Sequence, residues 1–553
     1  MRRLLCQNVP SDDGVVLMTD VYLPNGPGPF PALLARTPYN RSTSFPAPYT
    51  DRGYAYVIQD TRGKFGSDGT FRPLEDEARD GQATVAWIAR QPWCNGRIGL
   101  QGASYSGGIT QIPAATGRHE ALRCFVSQVS PANFFRDWIR YDGCFALGNI
   151  VSWIYLHNSD RTARSRENVD WEAAWAAPTI EALEARLGVP MPTMRKWIEH
   201  DCDDEYWTSL NQGILHESIS VAGLHIAGWF DHLSRGQLDG FRTIRARGAT
   251  EFARNNQKLL IGPWGHRNVF SSGPEHSTYG DWNFGETADL PVPEWEMMCY
   301  DYYLNETDTG YSDLPPVYLF LMGENRWMEF EEWPPPQSEI QSWYLASGGA
   351  ANTMHGDGSL SCAAPPQNMQ DAYSYDPANP VPGCGGPVYW GLEPRGPVDQ
   401  QPILDRNDVL VYRGAVLIAP LCVIGEILLD LVVTSSARDT DFVAKFCVEE
   451  PSGAITVLTI GSLRCKFRES WSDPKPLTPN EPTIIQLHLG HTAYTFPAGS
   501  RPTLLITSSE YPRILPHANT MAAPWHETNP VVARNAVRHG PNQVSRVQLP
   551  VIQ

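Results

Sequence analysis

Short apolar runs alternate with a longer stretch of different period along the first 130 residues. PALLART (31–37), GYAYVIQD (53–60), GRIGLQG (96–102) and LRCFVSQ (122–128) are each closed by turn residues, as buried strands are. Between the second and third, EDEARDGQATVAWIARQ places Ala83, Val85, Ala86, Ile88 and Ala89 at helical spacing, with acids in the first turn. That pattern predicts a helix. Strand and helix in alternation imply a parallel sheet covered on both faces, with sites at the C-terminal ends of its strands.

From about Asn133 to Gly213 the pattern turns helical and rich in aromatics, with Trp138, Trp153, Trp171, Trp175, Trp197 and Trp207. Strand-like runs then return at GLHIAGWFD (223–231) and QKLLIGPWGH (257–266), so the helical block reads as an insertion. Beyond about Pro315 the helical period disappears. PVYLFLM, QSWYLAS, DVLVYRG, TIIQLHL and PTLLITSS, separated by proline and glycine turns, suggest an all-β sandwich. PLCVIGEILLDLVV (420–433), interrupted by Glu426 and Asp430, reads as a buried strand pair. The expected organisation is an α/β core over 1–132 and 218–314, a helical block over 133–217 and a β-sandwich over 315–553.

Composition narrows the function classes. A chain of 553 residues is too long for one core, and 42% hydrophobic with 19% charged residues is the balance of a folded protein. A formal charge of -18, from acids scattered along the chain, disfavours a nucleic-acid partner and gives no attraction to anionic lipid. The opening MRRLLCQNVPSDDG has too few apolar residues before Gln7 and Asn8 for a signal-peptide core, and no apolar run is long enough to span a membrane. Eleven cysteines without C-x-x-C spacing indicate neither a zinc site nor a disulfide framework, and reduced thiols in a cytoplasm are the simplest reading. Neither a membrane partner nor a metal is expected.

Candidate chemistry begins at GLQGASYSGG (99–108). A strand that turns at once into a helix needs small flanking residues and pushes its central side chain, here Ser104, out at the strand end. Gly102 and Gly107 flank Ser104, although a full G-x-S-x-G would have its second glycine one place earlier. A serine nucleophile needs a base and an orienting carboxylate. AGWFD leaves Asp231 at one strand end and IGPWGH leaves His266 at another, and the order Ser104, Asp231, His266 is that of α/β-hydrolases. His225 falls within a strand pattern and reads as a core residue; His232, beside Asp231, is a weaker rival base. Oxyanion donors would be the backbone N–H of Tyr105 and the phenol of Tyr39 in ARTPYN, a loop that has no glycine cluster.

These residues and their surroundings closely resemble the cocaine esterase-like (CocE/NonD) serine hydrolases. That group also includes glutaryl-cephalosporin acylases, α-amino acid ester hydrolases and Xaa-Pro dipeptidyl-peptidases. DDGVVLMTDVYLP, RTPYN, QDTRGKFGSDG, WIARQPWCNGRIGLQGASYSG, GWFD, GPWGH, YDPANPVPGCGG and DQQPILDRNDVLVY carry the likeness along nearly the whole chain. The family pattern G-x-S-Y-x-G accounts for Gly107. The resemblance implies an α/β-hydrolase domain with an inserted helical cap and a C-terminal jelly-roll domain. It also implies Ser104 as nucleophile, His266 as base, Asp231 as its acid, Tyr39 and Tyr105 at the oxyanion hole, and no cofactor. The implied substrate is a small-molecule ester or amide. An amino-acid ester hydrolase or dipeptidyl-peptidase would need cap carboxylates for a substrate ammonium, and Asp137, Asp142, Asp201, Asp203, Asp204 and Glu205 are the candidates. An acyltransferase using the same acyl-enzyme and a non-catalytic binding protein are the alternatives of other classes. The quaternary state, monomer or homodimer, is open to either.

Overall fold

The computed structural model describes residues 1–553 except 117–118, 159–160, 212–215, 271–272 and 390. Ten strands make the first sheet: β1 (Arg2–Pro10), β2 (Val16–Leu23), β3 (Phe30–Thr37), β4 (Ala55–Asp60), β5 (Cys94–Ala103), β6 (Leu122–Gln128), β7 (Ala222–Gly228), β8 (Gln257–Gly262), β9 (Val317–Leu321) and β10 (Arg326–Phe330). Their order is β1-β2-β4-β3-β5-β6-β7-β8-β9-β10, parallel from β4 through β9 with antiparallel strands at either edge. Successive side chains of a strand point to opposite faces. Accordingly Ala32 and Leu34 of β3, with Ala55 and Val57 of β4, meet Val85 and Ile88 of helix α1 (Glu77–Ala89) on one face. Leu33, Tyr56 and Ile58 face the other way, toward Val292, Trp295 and Tyr300 of a helix at Val292–Leu304. Both faces are therefore buried, which is why these strands read as continuous apolar runs.

The run PVYLFLM, expected with the all-β part, pairs instead in parallel with β8, Leu259 opposite Val317 and Ile261 opposite Leu319. The first sheet thus extends to Phe330, past the expected boundary after residue 314. Its unbroken apolar run is the signature of a doubly covered parallel strand rather than of an alternating sandwich strand.

Between β6 and β7 the chain leaves the sheet for the helical block. A π-helical turn (Phe134–Ile139) and a short hairpin lead into Leu147–Trp153, Trp171–Trp175, Ile180–Leu187, Pro192–Glu199 and Glu205–Asn211. Trp138, Trp153, Trp175, Trp197 and Trp207 are buried in one cluster that also contains Tyr105 and strand residues of the C-terminal part, such as Val443 and Val457. The C-terminal part is an eleven-stranded, almost wholly antiparallel β structure. Leu345, Leu429, Leu431, Phe446, Leu487, Leu504 and Val547 fill its interior. The stretch expected to be a strand pair is one strand, Leu421–Ser435. Glu426 and Asp430 do not break it, because they alternate with buried Ile427, Leu429 and Leu431 and point to the half-exposed face. Gly425 at φ 142 and a register shift at Ile427/Leu428 let the strand bend between partners instead of turning back.

Candidate active site

Ser104 is the single residue between the end of β5 and the helix Tyr105–Thr116, and its φ of 59 lies in the left-handed region. A non-glycine residue there costs roughly 1–2 kcal/mol, so the surroundings must hold it. Its N–H donates to the Gln128 carbonyl at the end of β6 at 2.9 Å, and its own carbonyl accepts from Gly108 N–H at 3.0 Å. The flanking glycines are required by space. A Cβ on Gly102 would lie 2.1 Å from the Ser106 carbonyl oxygen, and one on Gly107 would lie 2.8 Å from Ser130 Cβ. The turn closes so tightly on itself and on the segment after β6 that the second glycine is needed at 107.

Asp231 and His266 come from the loops that follow β7 and β8. Asp231 caps its own turn, N–H to the Gly228 carbonyl at 3.0 Å, and its Oδ1 accepts from Leu233 N–H at 2.8 Å. Its Oδ2 faces His266 Nδ1 at 2.5 Å, and His266 Nε2 stands 2.9 Å from Ser104 Oγ. With Nδ1 protonated and bonded to the carboxylate, Nε2 is left to accept the serine proton. Burial alone would push the Asp231 carboxyl up. The charges and hydrogen bonds of His266 and His232 outweigh it and hold the acid well below the ordinary range. It is thus an anion at neutral pH, suited to orienting an imidazole. His232 does touch Asp231, Nδ1 to Oδ2 at 3.5 Å, but its ring is buried and that burial pushes its pKa down. His225 is a core residue as expected, with Gln257 and Gln237 on its two ring nitrogens.

Tyr39 lies past the end of β3, where its N–H donates to Thr37 Oγ1 at 3.0 Å. The loop is tied down by Asp60, whose carboxylate accepts from Arg41 N–H at 2.8 Å and pairs with its guanidinium. Burial pushes the phenol up to about 12, against hydrogen bonds to Trp153 and Ser104 that pull the other way. Trp153 Nε1 donates to the phenol oxygen at 3.2 Å, so the Tyr39 proton is free to be directed at the group on Ser104. Tyr105 opens the helix after Ser104, and its N–H belongs to the first turn, which has no intrahelical acceptor. Its side chain points the opposite way, donating to Glu77 Oε1 at 2.9 Å and accepting from Leu74 N–H at 3.1 Å.

Two supports of this arrangement were not visible in the sequence. Glu77, on α1, links Tyr105 to Arg36 of β3, the latter at 2.7 Å, and Trp153 reaches across from the helical block. Neither belongs to a spaced motif, and each acts across a long sequence gap. Of the acids considered for an ammonium, four already have partners. Asp137 accepts from Ala132 and Asn133 N–H, Asp142 pairs with Arg235, Asp201 with Arg140 and Lys466, and Asp204 with His200. Glu205 is exposed and Asp203 half-buried. Among the described residues the grouping able to hold a metal is Asp231, His232 and His266, two of which are hydrogen-bonded to each other and, through His266, to Ser104.

Residues 13–268, which include Ser104, Asp231 and His266, match the X-Pro dipeptidyl-peptidase (S15 family), and residues 309–548 match the X-Pro dipeptidyl-peptidase C-terminal non-catalytic domain. The chain is 32% identical to the cocaine esterase of Rhodococcus sp. (strain MB1 Bresler) over 99% of its own length and 98% of that protein. It belongs to the cocaine esterase-like hydrolases. An α-amino acid ester hydrolase structure superposes on all of this chain and 96% of that one, with TM-score 0.84 and 26% identity. An aminopeptidase from a marine sediment archaeon, Thaumarchaeota archaeon, shares the fold at TM-score 0.85 and 23% identity, covering 100% and 96% of the two chains. This cocaine esterase-like hydrolase therefore has the α/β-hydrolase core and C-terminal β-rich architecture that its sequence pattern led one to expect.

Proposed function

We propose that the chain is a serine hydrolase that cleaves a carboxylic ester or amide of a small molecule through an acyl-enzyme on Ser104. The observation that carries this reading is the hydrogen-bonded line from Ser104 through His266 to Asp231. Ser104 Oγ attacks the carbonyl carbon while its proton passes to His266 Nε2. Asp231 holds the ring and balances the imidazolium, and the Tyr39 phenol with the Tyr105 N–H receives the oxyanion. His266 returns the proton to the leaving group, and water then repeats the sequence to release the acid. The wall beside Tyr39 is aromatic, with Trp153, His157 and Phe71 in ring contact, which favours a flat apolar acyl group. Partnered acids in the cap favour an arylesterase or acylase over an enzyme that grips a substrate ammonium. Eleven unbridged cysteines support a reducing compartment, the cytoplasm, as its place of work.

A fluorophosphonate probe tests the reading directly. A single adduct is expected on Ser104, absent in Ser104→Ala and formed much more slowly in His266→Ala. A folded protein that stays unlabelled, or is labelled at another serine, would overturn it.

A further inference from the structure

Asp231 and His232 also border a second space, a cavity of about 70 Å³ that Ser104 and His266 do not line. Its remaining wall comes from the helical block (Tyr141, Asp142), from Arg235 and from the C-terminal part (Thr459, His491, Arg513). Several polar atoms there are buried and unmet. Arg513 is 6% exposed, with Nε and Nη1 buried and without a hydrogen-bond partner among the described residues. No carboxylate pairs with it among those residues, and its guanidinium lies over the Tyr141 ring at 4.4 Å. Both ring nitrogens of His491, itself 6% exposed, and the Thr459 hydroxyl are likewise unmet. So is Asp142 Oδ1, whose other oxygen takes Arg235 at 2.6 Å.

The other charged groups of the wall have hydrogen-bond partners or reach solvent. Asp231 is joined to His266, His488 to Glu426 at 2.8 Å, and Asp137 accepts from backbone N–H groups; Arg136, over the Trp471 ring, is only half-buried. Arg513 alone of these is a buried cation with no counter-charge. Buried charges persist where something pairs with them, and water by itself does so poorly. The space holds an acetate-sized ion, or a chloride with water beside it on the Asp142 side.

We infer that this cavity is a binding site for a small monovalent anion, a halide or a short carboxylate, with Arg513 as its principal ligand and His491 and Thr459 as supporting donors. The site is separate from the acylation step and does not rest on it. Because Asp231 and His232 form part of its wall, the anion would brace the loop that carries the acid.

The test pairs crystallography in bromide with melting in different salts. In wild-type crystals grown in sodium bromide, one anomalous peak is expected beside the Arg513 guanidinium, and acetate should displace it if the natural ligand is a carboxylate. In solution, the melting temperature should rise saturably by about 2 °C or more in chloride, bromide or acetate, relative to sodium gluconate of equal ionic strength, whose anion is too large to enter. Arg513→Met should lose both the peak and the salt response, whereas Arg513→Lys should keep a weakened form of each. Water alone beside Arg513 at saturating bromide, or an undiminished salt response in Arg513→Met, would overturn the assignment. The wild-type map decides the matter even if the methionine variant fails to fold.

Discussion

The Tyr39 phenol has partners from two different parts of the molecule: Trp153 on the helical block donates to it, and Ser104 is its other hydrogen-bond partner. Losing an oxyanion donor typically costs a factor of about 10²–10³ in rate. Tyr39→Phe is accordingly expected to lower kcat for an aryl ester by about that factor while leaving KM and the melting temperature nearly unchanged. Trp153→Phe removes the N–H, worth about 1 kcal/mol, together with part of the buried indole, so a fall of at least about fivefold is expected. If Trp153 acts through Tyr39, adding Trp153→Phe to Tyr39→Phe should cost almost nothing more; additive losses in stopped-flow acylation would refute the linkage. At Asp231, Asn leaves the shape but reverses the polarity facing Nδ1, and a loss of about 10⁴ in kcat is expected by analogy with other triads. Ser104, Asp231 and His266 could be picked out in the sequence because each ends an apolar run at one edge of a parallel sheet. Glu77 and Trp153 could not, since nothing in a linear pattern reports which distant polar groups will meet.

Among the elements, the turn around Ser104 and the helix Val292–Leu304 make the sharpest demands. Gly102→Ala would drive a methyl group to 2.1 Å from a carbonyl oxygen, within a turn that already holds a left-handed residue. A destabilisation of about 2–4 kcal/mol in urea is expected, with loss of probe labelling. The helix brings Glu296 beneath the same strands, where Gln128 and Gln101 donate to it. Burial pushes this carboxyl up to about 8, against those two hydrogen bonds. Because the folded value lies above the unfolded one, its contribution to stability is fully present below about pH 4.5 and is lost as pH rises through about 8. Glu296→Gln should therefore flatten the decline in melting temperature across that interval, and an unchanged pH profile would refute the assignment. The strands β3 to β8 were legible from apolar period alone, because both faces of the sheet are covered. The strand Leu421–Ser435 was not, because Glu426 and Asp430 interrupt a run of apolar residues without interrupting the alternation that matters. β9 does carry the unbroken apolar run of a doubly covered strand, but its partner, β8, lies some 55 residues earlier in the chain, and a linear pattern does not name that partner.

Across the whole molecule, the parts read separately in sequence share their cores. Trp229, Phe230 and Phe320 of the first sheet region lie in the same apolar cluster as Leu345, Leu429 and Leu487 of the β-rich part. The helical block is bonded to that part through Ser462 to Tyr141, Gly148 to Pro512, Leu515 to Phe145 and Trp525 to Ala177. One calorimetric transition is expected, with unfolding of the α/β core and of the β-rich part coincident; two separated transitions would show the shared cores to be energetically idle. The bond from Trp153 to Tyr39 gives this union a kinetic meaning. If Tyr39 receives the oxyanion as proposed, the helical block that carries Trp153 supplies part of the machinery that polarises the scissile carbonyl, so an acyl group that displaces Trp153 slackens the chemistry itself. Misfit acyl groups should then be rejected as slow turnover rather than as weak binding, making the fit against the helical block a checkpoint on the reaction.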